Sequence, residues 1–295
     1  MAFKKVSSGS GVTVSAQQSK TVINKTKVNF REVIFELITA HHKSRKTMLI
    51  WGNSGYGKSA TVKSFCKEMG FKLEQIFCIT LDPLTQSMPV DRGGSSMMFI
   101  PNEQLERLCN ATEPTVVLYD ETNKFSNPSV ENMLNSIFLD REYNGHKFSE
   151  SVVIIGCMNF KSRSTTAQEL DFSIINRATN ILFRPSPDDI RKNMQTSCGR
   201  LLASILPVKC NGQKEFDEEV LSRFNQVELA DEDKEGATAR QMDEVGTLIE
   251  DNPTLSDKAI EMICNGRLGD VLGGVAAQHI IKNKSVPKAL TQGIL

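Results

Sequence analysis

The sequence lacks any apolar run near the length of about 18 residues that a membrane-spanning helix needs. It also lacks an excess of charge, because 35 lysine and arginine residues balance 35 aspartate and glutamate residues. Net charge therefore gives no indication of nucleic-acid or membrane binding. The opening residues, MAFKKVSSGSG, contain no apolar segment. We therefore expect no secretory signal, a cytoplasmic location and no membrane partner.

Closely spaced cysteine pairs are also missing. The seven cysteines are odd in number, and no two have CxxC spacing. Several lie in apolar segments, which predicts reduced, partly buried thiols instead of disulfides. The adjacent His41 and His42 are the only histidine pair in the sequence. Because neighbours on a helix do not converge on one ion, a zinc site is not expected.

Between residues 29 and 185 the sequence alternates between two patterns. Apolar residues recur at helical spacing near 30–38, 58–69, 102–109 and 129–139. Continuous apolar runs predict buried strands at 47–51, 76–81, 115–121, 151–159 and 179–183. Continuous apolar strands that alternate with helices are typical of a parallel sheet covered on both faces. We therefore predict that residues 29–185 form an α/β core with five parallel strands.

The two ends of the chain differ from this core. Residues 1–28 are rich in serine, threonine, glutamine and lysine and predict a flexible basic arm. The alternative is an arm that contacts nucleic acid or a neighbouring subunit. After Pro185 and Pro187 the strand signals nearly vanish, and residues 186–295 are predicted to form a small all-helical lid domain. Its helical patterns lie near 188–206, 215–226, 238–250, 256–266 and 269–282, with an acidic loop at 228–236.

A glycine-rich segment joins the first strand to the next helix. Its sequence GNSGYGKS, residues 52–59, fits the pattern GxxxxGK[ST] of P-loop nucleotide-binding proteins, a match with a chance of only ~1% from composition. Glycines let backbone N–H groups turn toward a phosphate, and the helix adds its positive N-terminal end. This context disfavours the alternative, a flexible surface turn. The predicted nucleotide-binding residues are Gly52, Asn53, Ser54, Gly55, Tyr56, Gly57, Lys58, Ser59 and Ala60.

Two side chains of this segment and two carboxylates have distinct predicted roles. Lys58 is expected to reach the β- and γ-phosphates of a nucleotide. The Ser59 hydroxyl and the carboxylate of Asp120, which ends the third strand, are expected to hold Mg²⁺. Glu121 follows directly and can polarise the attacking water as general base. Two acidic residues after a strand are also common in turns, but their occurrence with the glycine-rich segment favours the catalytic interpretation.

Three further polar residues complete the predicted site. Asn159 ends the fourth strand and is expected to hold the attacking water, although asparagine at a strand end is usually a turn former. Arg177 precedes the fifth strand, and Arg240 lies near the start of a helix in the second domain. One arginine can act as a finger on the transition state, and the other can close the lid over the nucleotide. Taken singly, each arginine is more often a surface ion-pair partner.

In this order, the motifs resemble those of AAA+ ATPases over residues 30–250, and within that group they look most like the MoxR and dynein-related branch (AAA_5-type). GNSGYGKS resembles Walker A, VVLYDE resembles Walker B, and VVIIGCMN resembles sensor 1, at Asn159. LDFSIINRA resembles the arginine-finger segment, at Arg177, and ATARQMDEV resembles sensor 2, at Arg240. Residues 127–148 resemble the helix, acidic-Arg pair and hairpin that follow Walker B in this branch.

The resemblance implies an ATPase that uses ATP and Mg²⁺ and assembles into a ring, usually a hexamer, with each ATP site between two subunits. Many members of the branch act with a partner that bears a von Willebrand A domain. Two features depart from the family. Ala178 follows Arg177 where an aromatic residue is usual, which leaves Arg163 and Arg184 as alternative fingers. Segment 82–99, where this branch carries an insertion that faces the ring pore, lacks the aromatic-aliphatic-glycine loop of threading unfoldases.

The preferred interpretation is an ATP-hydrolysing AAA+ ring ATPase that remodels a partner protein, as MoxR-like chaperones do. The main alternative is a DNA-directed ATPase, such as a helicase loader or a transposition regulator, with slight support from HHKSRK at 41–46. A GTP-binding switch is disfavoured, because Ser126 replaces the aspartate that reads guanine in an NKxD motif. A scaffold that binds nucleotide without hydrolysis is disfavoured by Glu121.

Overall fold

The computed structural model describes residues 29–93, 97–186, 188–190, 213–222 and 239–284. Three predicted features lie outside the described residues: the basic arm (1–28), the acidic loop (228–236) and nearly all of the helix at 188–206. No helix among the described residues is both long enough and apolar enough to span a bilayer.

The elements of the described residues are as follows. The strands are β1 (Met48–Trp51), β2 (Lys72–Phe77), β3 (Ser87–Asp91), β4 (Met97–Pro101), β5 (Thr115–Asp120), β6 (Glu142–Tyr143), β7 (His146–Lys147), β8 (Val152–Met158) and β9 (Thr179–Leu182). The helices are α1 (Phe30–Ser44), α2 (Lys58–Met69), α3 (Pro83–Gln86), α4 (Glu103–Cys109), α5 (Ser129–Asp140), α6 (Phe172–Arg177), α7 (Gln213–Phe216), α8 (Ala239–Glu250), α9 (Asp257–Leu268) and α10 (Asp270–Lys284).

Five parallel strands form the central sheet, in the order β2-β5-β8-β1-β9. Strand β1 lies between β8 and β9, with Met48 opposite both Ile155 and Thr179. Because all five strands run in one direction, their carboxyl ends meet at one edge of the sheet. The predicted parallel sheet, with flanking helices and further helices after it, is confirmed.

Alternate residues of β5 show how the two faces of the sheet are covered. Val117 and Tyr119 belong to the core on one face, which includes residues of α4, α5 and α6. Val116 and Leu118 belong to the core on the other face, which includes residues of α1, α2 and α9. Every residue of β8 is buried. Burial on both faces explains why the inner strands appear in the sequence as continuous apolar runs.

The bounds predicted for the second strand, 76–81, are wrong. Strand β2 spans Lys72–Phe77, and Cys78–Thr80 form a 3₁₀ turn. Strand β2 lies at the edge of the sheet and pairs with β5 alone. Lys72 is therefore exposed and Glu74 only partly buried. The polar residues of this edge strand interrupt the continuous apolar run that indicates a buried strand in the sequence.

Segment 82–99, in which no strand was predicted, contributes a β-hairpin. Helix α3 leads into β3, which pairs antiparallel with β4. Several large apolar side chains of the two strands are exposed, among them those of Met88, Met97 and Ile100. Their alternation with polar residues is too weak to predict strands from the sequence.

A second hairpin, β6–β7, follows α5, as the family resemblance implies. It turns through Asn144 and Gly145, both with positive φ, as a type I′ hairpin turn requires. Asn144 Nδ2 donates to Ser87 Oγ over 2.6 Å, and the Tyr143 hydroxyl donates to the Pro83 carbonyl over 3.2 Å. The second hairpin therefore supports the start of the first.

Helix α9 lies against strand β9 at a glycine. A Cβ atom on Gly266 would lie 2.3 Å from the carbonyl oxygen of Asn180, so only glycine fits without movement of the backbone. The next residue, Arg267, is 1% exposed, and its Nε donates to Thr179 Oγ1 over 3.2 Å. Its Nη1 pairs with Glu244 of α8 over 2.6 Å. These contacts fix α8 and α9 against the edge of the sheet, whereas the domain boundaries at 28 and 185 stay predictions.

Candidate nucleotide-binding site

The glycine-rich segment forms a loop between β1 and α2. Gly55 and Gly57 have φ of 81° and 91°, a left-handed conformation that favours glycine. Gly57 is the N-cap of α2 and, because it has no side chain, it makes no side-chain cap hydrogen bond to the first turn of the helix. A helix N-terminus whose N–H groups carry no side-chain cap is suited to bind an anion.

Lys58, the first residue of α2, is held by three hydrogen bonds of its side chain. It is buried, and its Nζ donates to the carbonyls of Gly52 and Asn53 over 2.7 and 2.9 Å and to Asn159 Oδ1 over 3.0 Å. Burial lowers the pKa of the Lys58 ammonium, and the Asp120 and Glu121 carboxylates oppose this change. A buried cation held at the loop by oxygen atoms is placed to meet phosphate charge.

Asp120 ends β5 beside the first turn of α2. Ser59 Oγ donates to Asp120 Oδ1 over 2.8 Å, and the Glu121 backbone N–H donates to the same oxygen over 3.1 Å. Gln75 Nε2 donates to Asp120 Oδ2 over 2.9 Å. A hydroxyl and a carboxylate in contact form the type of oxygen donor set that Mg²⁺ prefers, so the predicted metal-binding pair fits the ion. Gln75 was missed from the sequence, because it lies on the polar edge strand β2.

Glu121 lies in a tight turn directly after β5. Its backbone has a φ of 53°, which is uncommon for a residue other than glycine. Its carbonyl accepts from the Lys124 N–H over 2.8 Å, and the next residue, Thr122, donates its N–H to the Cys157 carbonyl over 2.9 Å. The Glu121 Oε1 atom pairs with Lys124 Nζ over 2.7 Å. Lys124 was not identified from the sequence, because a lysine three residues after a glutamate is common in surface turns.

Asn123 fixes the backbone of the sensor-like asparagine and was also missed. Its Nδ2 donates to the Asn159 carbonyl over 2.7 Å, and its Oδ1 accepts from the Asn159 N–H over 3.2 Å. Both asparagines are buried. The turn after β5 and the end of β8 are therefore joined by side-chain hydrogen bonds that no local sequence pattern reveals.

A cavity of about 440 Å³ lies at this edge of the sheet. This volume is within the usual range for small-molecule sites. Burial raises the pKa of the Cys157 thiol in its wall to about 12, so this cysteine is not a reactive thiolate near neutral pH. The residues that line the cavity are Ser54, Gly55, Gly57, Lys58, Ser59, Ala60, Phe77, Asp120, Glu121, Cys157 and Asn159.

Tyr56 is absent from the lining of this cavity, although it was among the predicted nucleotide-binding residues. It is partly buried and packs against the hydrophobic core on the α1 and α2 face. Gly52 and Asn53 also lie outside the lining, and their carbonyls hold Lys58. The packing of Tyr56 indicates that it anchors the loop to the core.

Arg177, the predicted finger, does not line this cavity. Arg177 ends α6, and its Nη1 donates to Asn135 Oδ1 of α5 over 2.8 Å. Of the two alternatives, Arg184 contacts Gln213 Oε1 over 3.3 Å, and the side chain of Arg163 is not described. Arg240 lies in the first turn of α8, and its side chain also lies outside the described part of the chain.

The basic segment 41–46, which gave slight support for DNA binding, makes several contacts within the chain. His41 is fully buried and contacts the Leu37 carbonyl over 2.6 Å. Arg45 pairs with Glu150 over 2.6 Å. Lys46 lies 3.9 Å from a Glu244 carboxylate oxygen. Much of the positive charge of this segment is therefore engaged by acidic groups of the same chain.

Comparison with known proteins agrees with this geometry. The family model AAA, described as the ATPase family associated with various cellular activities, matches residues 48–186. A search of curated proteins found none that matches the chain. The matched range starts at the first residue of β1 and ends after β9, so it contains the whole central sheet. Together with the glycine-rich loop and the paired carboxylates, the match supports an AAA+ ATPase domain in this part of the chain.

Proposed function

We propose that this protein hydrolyses ATP at the cavity formed by the glycine-rich loop, the end of β5 and the end of β8. The observation that carries the proposal is the convergence of Lys58, Ser59, Asp120, Glu121 and Asn159 on one cavity. These residues come from three separate parts of the chain. Each has the chemical type that hydrolysis of a nucleoside triphosphate requires at that place.

In the proposed binding mode, backbone N–H groups of the loop and of the first turn of α2 hold the phosphates. Lys58 neutralises the β- and γ-phosphate charge. Ser59 and Asp120 would hold Mg²⁺, which would supply positive charge to offset the negative charge of the phosphates. The Asp120 carboxylate is oriented for this role by Gln75 and by the Glu121 N–H.

In the proposed hydrolysis step, Glu121 accepts a proton from the water that attacks the γ-phosphate. The Asn159 amide orients this water and the γ-phosphate. Asn123 holds the Asn159 backbone on both its N–H and its carbonyl, which limits how far the amide can move. The products are ADP and inorganic phosphate.

We propose that Arg177 completes the site of a neighbouring subunit in a homo-oligomeric ring, for which the family resemblance favours a hexamer. Support comes from its place on α6, where it contacts Asn135 and does not line the cavity of its own chain. This separation is consistent with an arginine that reaches the site of a second subunit and stabilises the charge of the transition state there. We assign Arg240 to closure of the lid over the nucleotide.

We further propose that hydrolysis drives the remodelling of a partner protein, as in MoxR-like chaperones. The resemblance supports this role and allows a partner with a von Willebrand A domain. Exposed apolar side chains on the β3–β4 hairpin, such as Met88 and Met97, offer a surface suited to protein contact. The internal ion pairs of segment 41–46 make DNA the less favoured target.

The direct test is to measure ATP binding and phosphate release for the wild type and Lys58→Ala. The matched control is Lys63→Ala, since Lys63 is an exposed lysine on the same helix. We expect Lys58→Ala to lose both activities and Lys63→Ala to keep them. Equal ATP affinity in the wild type and Lys58→Ala would remove the glycine-rich loop from the proposed site. The same assay with GTP tests the choice of nucleotide.

A further inference from the structure

We propose that Lys124 is a positioning residue for hydrolysis, which holds the Glu121 carboxylate in the orientation from which it accepts the proton of the attacking water. This inference rests on the proposed function, in which Glu121 is the general base. The observation that carries it is the ion pair between Lys124 Nζ and Glu121 Oε1, at 2.7 Å. The lysine was not among the residues that the sequence motifs identify.

The backbone of Glu121 is held without the Lys124 side chain. The Lys124 N–H donates to the Glu121 carbonyl, and the Thr122 hydroxyl donates to the Tyr119 carbonyl over 2.7 Å. The Thr122 N–H also bonds to Cys157 of the neighbouring strand. The turn, with its left-handed residue, therefore forms from main-chain contacts and one threonine. The Lys124 ammonium adds a contact to the Glu121 carboxylate and so fixes the orientation of that group.

The two side chains differ in their access to the cavity. Glu121 lines the cavity, whereas Lys124 does not. The lysine side chain is 14% exposed and the glutamate side chain 32% exposed, so the pair is only partly solvated. The ion pair engages Oε1, and we assign the other carboxylate oxygen, Oε2, as the atom that accepts the proton.

The charges around the site give the pair a second effect. Glu121 lies beside Asp120, and a nucleoside triphosphate would bring more negative charge to the same cavity. The Lys124 charge lowers the pKa of Lys58, whereas the Asp120 and Glu121 carboxylates raise it. Lys124 therefore lies within electrostatic reach of the phosphate-binding loop. Pairing with Lys124 therefore limits repulsion of Glu121 by the phosphates, which would otherwise turn the carboxylate away from the water.

The test compares Lys124→Met, which keeps the side-chain length but removes the charge, with Lys124→Arg. We expect kcat for ATP to fall about tenfold in Lys124→Met, less than the ~10²-fold or greater loss typical for removal of a general base. We expect KM and the affinity for a fluorescent ATP analogue to change less than about threefold, because the phosphate contacts are intact. Lys124→Arg should recover part of the lost kcat.

The matched control is Lys258→Met on α9. Lys258 also pairs with a glutamate three residues away, Glu261, over 2.9 Å, but both side chains are about half exposed. We expect wild-type kcat for this control. A wild-type kcat in Lys124→Met would overturn the inference, as would a loss of nucleotide affinity as large as the loss of kcat.

Failure of this inference can be told apart from failure of the proposed function by Glu121→Gln. If Glu121→Gln abolishes turnover while Lys124→Met has no effect, the base assignment stands and the positioning role falls. If Glu121→Gln keeps normal turnover, the base assignment itself falls and the positioning role falls with it. Thermal unfolding of each variant checks that the fold is intact. If Lys124→Met is destabilised, the test is the kcat of Lys124→Arg instead. A kcat of Lys124→Arg no higher than that of Lys124→Met would also overturn the inference.

Discussion

Lys58 Nζ lies 3.0 Å from Asn159 Oδ1, although 101 residues separate the two in the sequence. Lys58 follows the loop after β1, and Asn159 follows β8 directly. The two strands are parallel neighbours, so their carboxyl ends reach the same edge of the sheet. The parallel topology therefore joins the candidate phosphate-binding cation to the candidate sensor of the γ-phosphate.

Removal of the Asn123 side chain should impair hydrolysis more than binding. Asn123→Ala deletes both hydrogen bonds to the Asn159 backbone and leaves buried polar groups without partners, which typically costs about 1–3 kcal/mol. The Asn159 amide would then be poorly fixed, so we expect a lower kcat at similar ATP affinity. Steady-state kinetics beside equilibrium binding measure this difference. A kcat equal to that of the wild type would show that the clamp is dispensable for the reaction.

Arg177→Ala should spare nucleotide binding and reduce hydrolysis only in assembled rings. An arginine finger supplied by a second subunit is worth about 10³–10⁵ in rate. Mixing Arg177→Ala subunits with Glu121→Gln subunits should restore some activity, because some interfaces combine an intact base with an intact arginine. Arg107→Ala, at an exposed arginine paired with Glu74, is the control and should keep normal activity. If no mixing ratio restores turnover, the trans assignment of Arg177 loses its support.

His41 should make the protein less stable as the pH falls below about 6.5. Burial lowers the pKa of His41 from 6.5 to about 4, and Arg267 contributes in the same direction. Between these two pKa values the unfolded chain binds a proton that the folded chain does not. The contribution of neutral His41 to the free energy of unfolding is therefore complete above pH 6.5 and is lost as the pH falls toward 4. The loss amounts to about 3 kcal/mol.

Urea unfolding between pH 7 and pH 4 tests the effect of His41. The His41→Gln variant should show a flatter dependence of the unfolding free energy on pH than the wild type, whatever its stability at pH 7. The exposed His279→Gln variant serves as the control. Identical pH dependence in His41→Gln and the wild type would mean that other groups dominate this range.

Gly266→Ala should destabilise the contact of α9 with the sheet. The new Cβ would lie 2.3 Å from the Asn180 carbonyl oxygen, so the helix must move away from β9. Such overpacking typically costs about 1–3 kcal/mol, measurable by urea unfolding. The control is Gly246→Ala on α8, where a Cβ would meet no atom within 4 Å. That variant should gain up to about 1 kcal/mol from helix propensity, and a similar gain in Gly266→Ala would be inconsistent with the close packing.

The sequence was sufficient to predict the parallel sheet, because inner strands such as β8 are buried on both faces and consist of apolar residues. The glycine-rich loop and the carboxylate pair could also be identified from the sequence, since each is a local pattern beside a strand. The bounds of β2 could not be predicted in the same way, because an edge strand tolerates polar residues such as Glu74 and Gln75.

Contacts between distant segments could not be predicted from local patterns. Asn123 and Gln75 act on Asn159 and Asp120, which lie on other elements. The contact of Arg177 with Asn135 joins residues 42 positions apart and depends on how α5 and α6 pack. Such residues carry no periodicity or motif of their own, and only the fold reveals their partners.

The central claim, ATP hydrolysis with Glu121 as general base, is tested most directly by phosphate release and ATP binding in Glu121→Gln. Glutamine has nearly the same shape as glutamate but cannot accept a proton near neutral pH. We expect Glu121→Gln to bind ATP with wild-type affinity and to release phosphate at least about 10²-fold more slowly. Phosphate release at the wild-type rate in this variant would contradict this claim.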